Sequence, residues 1–152
     1  MVSTASVAPL PPNSADGEVS LVRLYVLRAM YLLLVVGLGA TIVPSLIAHE
    51  PTARGVIPSL LGAIWLLAFF GLRYPLQMLP LLMFEFTWKT IWFLDYGLPQ
   101  WLSGQKPPTF ADDFTPILAG VILTPIVIPW GYVWRHYVTA RGSRWITGSD
   151  PE

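Results

Sequence analysis

The sequence predicts an all-α fold, a four-helix transmembrane bundle with both termini in the cytoplasm. Three observations carry that expectation: the chain is poor in charge, it contains four apolar runs of spanning length, and its arginines gather on one side of those runs. Of 152 residues, 54% are hydrophobic and 12% charged, where a soluble domain carries roughly 25% charged residues. Nine Lys and Arg balance nine Asp and Glu, so there is no basic excess to hold a nucleic acid. The absence of Cys excludes a disulfide framework, a thiolate metal site and a cysteine nucleophile.

Residues 1–20 hold three prolines, two acids and small polar side chains, a composition that cannot bury a core and reads as a disordered tail. The run that follows Arg23 and Arg28 is too long for a cleaved secretory signal and lacks the small residue such a site needs. The membrane domain is expected over 21–138, with spans at about 25–48, 55–73, 75–96 and 114–134, and a polar tail over 139–152. Residues 29–48 carry no charge, and about 20 such residues cross roughly 30 Å of hydrocarbon. Arg23 and Arg28, below that run, are expected to snorkel to headgroups. After a polar turn from His49 to Arg54, residues 55–72 form a second uncharged run, with Pro58 in its first turn where a missing N–H is tolerated. The third span, 75–96, is apolar except for Glu85, Lys89 and Asp95. A hydrophilic connection with Lys106, Asp112 and Asp113 leads to the fourth.

Four spans put both termini on one side. That side holds six basic residues, Arg23, Arg28, Arg73, Arg135, Arg141 and Arg144, and the other only Arg54 and Lys106. The excess of Arg and Lys marks the cytoplasmic face. Aromatic residues bracket the spans: Tyr25, Tyr74, Trp130, Tyr132, Trp134 and Tyr137 on the inner side, Tyr96 and Trp101 on the outer. The segment from Pro129 to Tyr137 reads as an interfacial anchor, with a ligand-binding aromatic cluster as the alternative.

The chemically distinctive feature is Glu85. Counted from Pro75 it lies about 10 residues into the span, roughly 15 Å deep. Lys89 follows one turn later, in the order and spacing that favour pairing. On a helical projection Met78, Glu85, Trp88, Lys89, Trp92 and Tyr96 share one stripe, while Phe84, Thr87, Ile91 and Leu94 occupy other faces. The charged stripe must face protein or water, because lipid offers no partners. Candidates at similar depth are Thr41 and Ser45 on the first span, Ser59 on the second and Thr124 on the fourth. Two roles compete for the pair. In one it fixes helix packing and register; in the other Glu85 exchanges protons, with Lys89 tuning it.

Gly37 and Thr41 have the small-xxx-small spacing of close helix contacts. Pro44, Pro80, Pro125 and Pro129 each remove a bond to the carbonyl four residues earlier. Pro125 and Pro129, one turn apart, predict a kink or a broken helix. No phosphate loop, HExxH or GxSxG sequence occurs; no catalytic residue, metal or cofactor is expected, and His49 and His136 read as surface or interfacial residues.

Residues 73–92 (RYPLQMLPLLMFEFTWKTIW), then Leu98-Pro99-Gln100-Trp101 and residues 129–138 (PWGYVWRHYV), resemble small uncharacterised multi-pass proteins encoded in bacterial genomes. The resemblance implies a bacterial inner (cytoplasmic) membrane location and brings no activity with it. Small multidrug transporters are similar in size but carry their essential Glu in the first span, where this chain has no acid, so their function is not carried over. The expected role is an accessory or scaffold component of that membrane. The alternative is a small oligomeric proton-coupled transporter or channel. The expected partners are the lipid bilayer and either other membrane proteins or a second copy of the chain, and not nucleic acid.

Overall fold

The computed structural model describes residues 19–48, 55–104 and 106–140. Most of the expected N-terminal tail, the turn holding His49, Glu50 and Arg54, and the stretch with Arg141 and Arg144 lie outside the described residues. Every element among those described is helical. Leu21–Ala48 forms α1, a run without a breaker before Pro44 and roughly 42 Å long at 1.5 Å per residue. Val56–Arg73 forms α2, with Pro58 in its first turn. Helices α1 and α2, and a later one over Phe110–Val127, are long and apolar enough to cross a membrane.

The third run departs from expectation at both ends. Helix α3 covers Leu79–Trp92, and residues 75–78 form a turn. The reason is Pro80, which has no N–H for the Leu76 carbonyl but fits the first turn of a helix that begins just before it. Beyond Trp92 the helix widens into a π-helical turn, Phe93–Gly97, immediately before Pro99, which cannot donate to the Asp95 carbonyl. The chain then continues as α4, Leu98–Ser103. Gly104, at φ 72°, ends α4 in the left-handed conformation that glycine adopts without strain.

Helix α5 runs over Phe110–Val127, with Asp112 and Asp113 in its first turn, where their charge complements the helix dipole. It starts four residues earlier than expected and ends well short of Trp134. Ile128 is extended (φ −61°, ψ 126°), as a residue before proline prefers, and Pro129 leads into α6, Trp130–Val133. A second π-helical turn, Trp134–Val138, follows. Of the two readings of Pro125 and Pro129, the helix is broken. The Pro125 carbonyl, which Pro129 cannot satisfy, accepts a bond from Trp130 Nε1 at 2.8 Å.

Helix α1 packs along α2, and α3 along α5, with α1 also touching α5 and α2 touching α3. One core joins these elements: Leu24, Leu27, Met30, Tyr31 and Leu34 of α1 meet Ala68 of α2, Leu79 and Leu82 of α3, and Val127, Ile128, Tyr132 and Val133. It lies at the basic end. Arg23 Nη2 donates to the Ile128 carbonyl at 2.7 Å, and Arg28 Nε to the Leu72 carbonyl at 3.2 Å. Each arginine thus caps the C-terminal end of a neighbouring helix, where cations are favoured, a structural role beyond the headgroup contact expected. Tyr132, expected at the interface, is buried in the core.

The α1–α2 seam uses different small residues from those singled out in sequence. Thr41 is exposed, and a Cβ at Gly37 would meet nothing within 4 Å. The Trp65 indole packs over Gly39 and donates to the Val35 carbonyl at 2.8 Å. Gly71 lies against the ring of Tyr31, whose hydroxyl donates to the Pro75 carbonyl at 3.2 Å.

Candidate functional site

Glu85, Trp88 and Lys89 fall at i, i+3 and i+4 of a continuous helix, so their side chains share one face. Lys89 Nζ stands 2.7 Å from Glu85 Oε2, which has no other partner among the described residues. The other oxygen, Oε1, accepts a bond from Trp88 Nε1 at 3.1 Å. The same ammonium lies 5.5 Å from the centre of the Trp88 ring, within cation–π range. Glu85 is 0% exposed and Lys89 8%. Phe84, Thr87, Ile91 and Leu94, on the remaining faces, are exposed.

The opposite wall comes from α5. Phe93 meets Phe114 with ring centres 5.9 Å apart, and Phe86 meets Trp130 at 6.5 Å, so the two helices run antiparallel. Between these contacts the lysine stem crosses Gly120: a Cβ there would lie 2.6 Å from Lys89 Cδ and 2.9 Å from Nζ. Only a glycine lets the ammonium lie against the α5 backbone. Thr124 lies one turn beyond Gly120 on α5. Thr124 is fully buried, and its hydroxyl has no hydrogen-bond partner among the described residues.

Of the residues singled out in sequence, the structure gathers Glu85, Lys89 and Trp88. It keeps three others apart. Thr41 bonds the Gly37 and Leu38 carbonyls of its own helix, Ser59 bonds Gly55 of its own, and Ser45 is exposed. The Thr41 and Ser59 hydroxyls turn back on the preceding helical turn, a local bond that needs no tertiary partner. Trp92 is half-buried and lies over Gly97. Gly120 was not singled out, and composition gives no signal for it; only the antiparallel register of α3 on α5 does. Because α3 starts at Leu79, Glu85 stands roughly 9 Å along that helix instead of the 15 Å obtained by counting from Pro75.

The arrangement pairs one acid and one base in an environment of low dielectric. Removing either charge strands the other, since both are already stripped of water. No three His, Asp and Glu side chains converge among the described residues. His49 and Glu50 lie outside them, and His136 stacks on Tyr132 with ring centres 3.9 Å apart. No family model, curated protein or solved structure gives a match to this chain.

Proposed function

We propose that this is a four-span protein of a bacterial inner membrane, with both termini cytoplasmic, that serves as an accessory or scaffold component. In this reading the Glu85–Lys89 pair fixes the register of α3 on α5 and has no turnover of its own. The observation that carries it is the burial of Glu85, which is 0% exposed with both oxygens committed to residues of its own helix. A proton carrier needs a wet path, and a sealed pair is a packing device. Arg23 on Ile128 and Arg28 on Leu72 tie the ends of two other helices to the start of α1, and this is the end that the arginine excess assigns to the cytoplasm.

Reporter fusions test the threading. Fusions after Glu152 and near Ser103 are expected to report opposite sides, with Glu152 inside; an external C-terminus overturns the topology.

A second reading, a small oligomeric proton-coupled transporter or channel, is favoured by the Thr124 hydroxyl, buried one turn from Gly120 without a hydrogen-bond partner among the described residues. Glu85→Gln separates the two. Gln keeps an acceptor for Lys89 but sets its NH2 toward the Trp88 indole and cannot exchange a proton, so a packing role survives it with loss of the charge-assisted bond and of the indole's acceptor. Wild-type protein in liposomes is expected to give no proton flux above empty vesicles. Flux in wild type that disappears in equally folded Glu85→Gln establishes the transporter instead.

A further inference from the structure

Two arginines at the foot of the α1–α2 seam hold their guanidiniums in the same way. Arg28 Nε donates to the Leu72 carbonyl at 3.2 Å, with Cζ 5.6 Å from the centre of the Tyr25 ring. Arg73 Nε donates to the Tyr74 hydroxyl at 3.0 Å, with Cζ 5.5 Å from the centre of that ring. In both, the edge formed by Nη1 and Nη2 makes no hydrogen bond among the described residues. Neither charge has a carboxylate within ion-pairing distance there. A planar guanidinium edge of this kind grips phosphate oxygens in pairs.

The two side chains meet at one place. Arg73 begins at the peptide bond whose carbonyl oxygen Arg28 holds, so its Cα lies within about 6 Å of Arg28 Nε. Arg73 is exposed and Arg28 half-buried. One helical turn from each, away from the basic end, Leu32 and Phe69 share its helix face. Both are exposed. The surface is therefore cationic at its foot and apolar above, with Tyr25 and Tyr74 exposed beside the charges. A soluble anion gains nothing from Leu32 and Phe69, whereas an acyl chain does.

We propose that Arg28 and Arg73 together bind the phosphate of one anionic phospholipid, with its acyl chains lying along Leu32 and Phe69. Basic sites between helices on the cytoplasmic side suit such headgroups, and tyrosine rings favour the headgroup level. The inference goes beyond the scaffold reading and does not rest on it; it requires that this end of the helices lie at a membrane surface.

The test is native mass spectrometry of the full chain in detergent, exchanged against equal amounts of phosphatidylglycerol and phosphatidylcholine. Wild type is expected to retain phosphatidylglycerol about tenfold over phosphatidylcholine, and Arg28→Gln with Arg73→Gln to abolish that preference. Arg28 also caps α2, so two further variants guard against misfolding. Arg73→Gln gives up a bond to the neighbouring hydroxyl alone and should lower the preference about threefold. Arg28→Lys with Arg73→Lys keeps both charges and should retain less phosphatidylglycerol than wild type, because the planar edge is lost. Arg135→Gln, at the same end but outside the site, should leave the preference unchanged.

The proposal is overturned by wild-type preference in Arg73→Gln, in the Lys pair or in a folded Gln pair, or by an equal loss in Arg135→Gln. It is overturned equally by no preference in wild type. A preference that then emerges when Asp16→Asn, Glu18→Gln, Asp150→Asn and Glu152→Gln remove the acids of both tails assigns the arginines to the chain's own carboxylates. Competition by glycerol phosphate and by inorganic phosphate at millimolar concentration distinguishes the source of the phosphate. Failure of both to displace the lipid supports a phospholipid, and full displacement by either overturns it in favour of a soluble phosphate.

Discussion

Glu85→Ala is expected to destabilise the protein by about 3–5 kcal/mol, the usual result of removing one partner from a buried ion pair. Glu85→Ala combined with Lys89→Ala should recover part of that loss. The single change leaves the Lys89 ammonium against Gly120 with no counter-ion, at 8% exposure, and takes the acceptor from the Trp88 indole. The double change removes the stranded charge. It still leaves the indole unpaired and a void between α3 and α5, so it does not return to wild type. Unfolding of the three proteins in mixed micelles measures the difference. A double variant as unstable as the single one, or worse, would mean that the 2.7 Å contact contributes no coupling.

The second large effect is expected at a glycine that no motif marks. Gly71→Ala should cost about 2–3 kcal/mol, in the upper part of the range for overpacking a filled site. The added methyl would collide with the ring of Tyr31. Tyr31 is fully buried in the shared core, and its hydroxyl is tied to the Pro75 carbonyl, so the ring has nowhere to retreat. The identical change at Gly37 should be neutral or stabilising by up to about 1 kcal/mol, because alanine is the better helix former and nothing lies within 4 Å of the new methyl. Paired measurements on the two variants decide the matter, and equal responses would mean that the α1–α2 seam is placed wrongly.

How far the sequence reaches is clearest in α3. The spacing of Glu85, Trp88 and Lys89 is a property of one helix, and an i, i+4 ion pair needs no knowledge of the fold. Exposure of Phe84, Thr87, Ile91 and Leu94 likewise follows from a period of 3.6. The stripe fails at Tyr96, expected on the same face as Glu85 but exposed. The π-helical turn over Phe93–Gly97 turns the face, and a period carried through it points the wrong way. Proline chemistry was legible one bond at a time: Pro80 and Pro129 each removed a hydrogen bond, yet where the helix would stop depended on what replaced it. At Pro125 the replacement is the Trp130 indole, and at Ile128 the guanidinium of Arg23, 105 residues distant in sequence.

The sequence by itself determined that the chain is helical and apolar enough to cross a membrane, which residues carry its charges, and which of them share a helix face. These follow from local quantities: side-chain hydropathy, helical period and the presence or absence of an N–H. Only the tertiary structure decided that Gly120 stands beside the ion pair, that Thr124 is buried while Thr41 and Ser45 are exposed, that Gly71 and not Gly37 admits a neighbour, and that Arg23 and Arg28 cap helix ends. Each depends on the rotation and register of one helix against another. A run of interchangeable apolar side chains leaves that choice open, and close packing of unlike shapes, such as Tyr31 on Gly71 and Lys89 on Gly120, selects it.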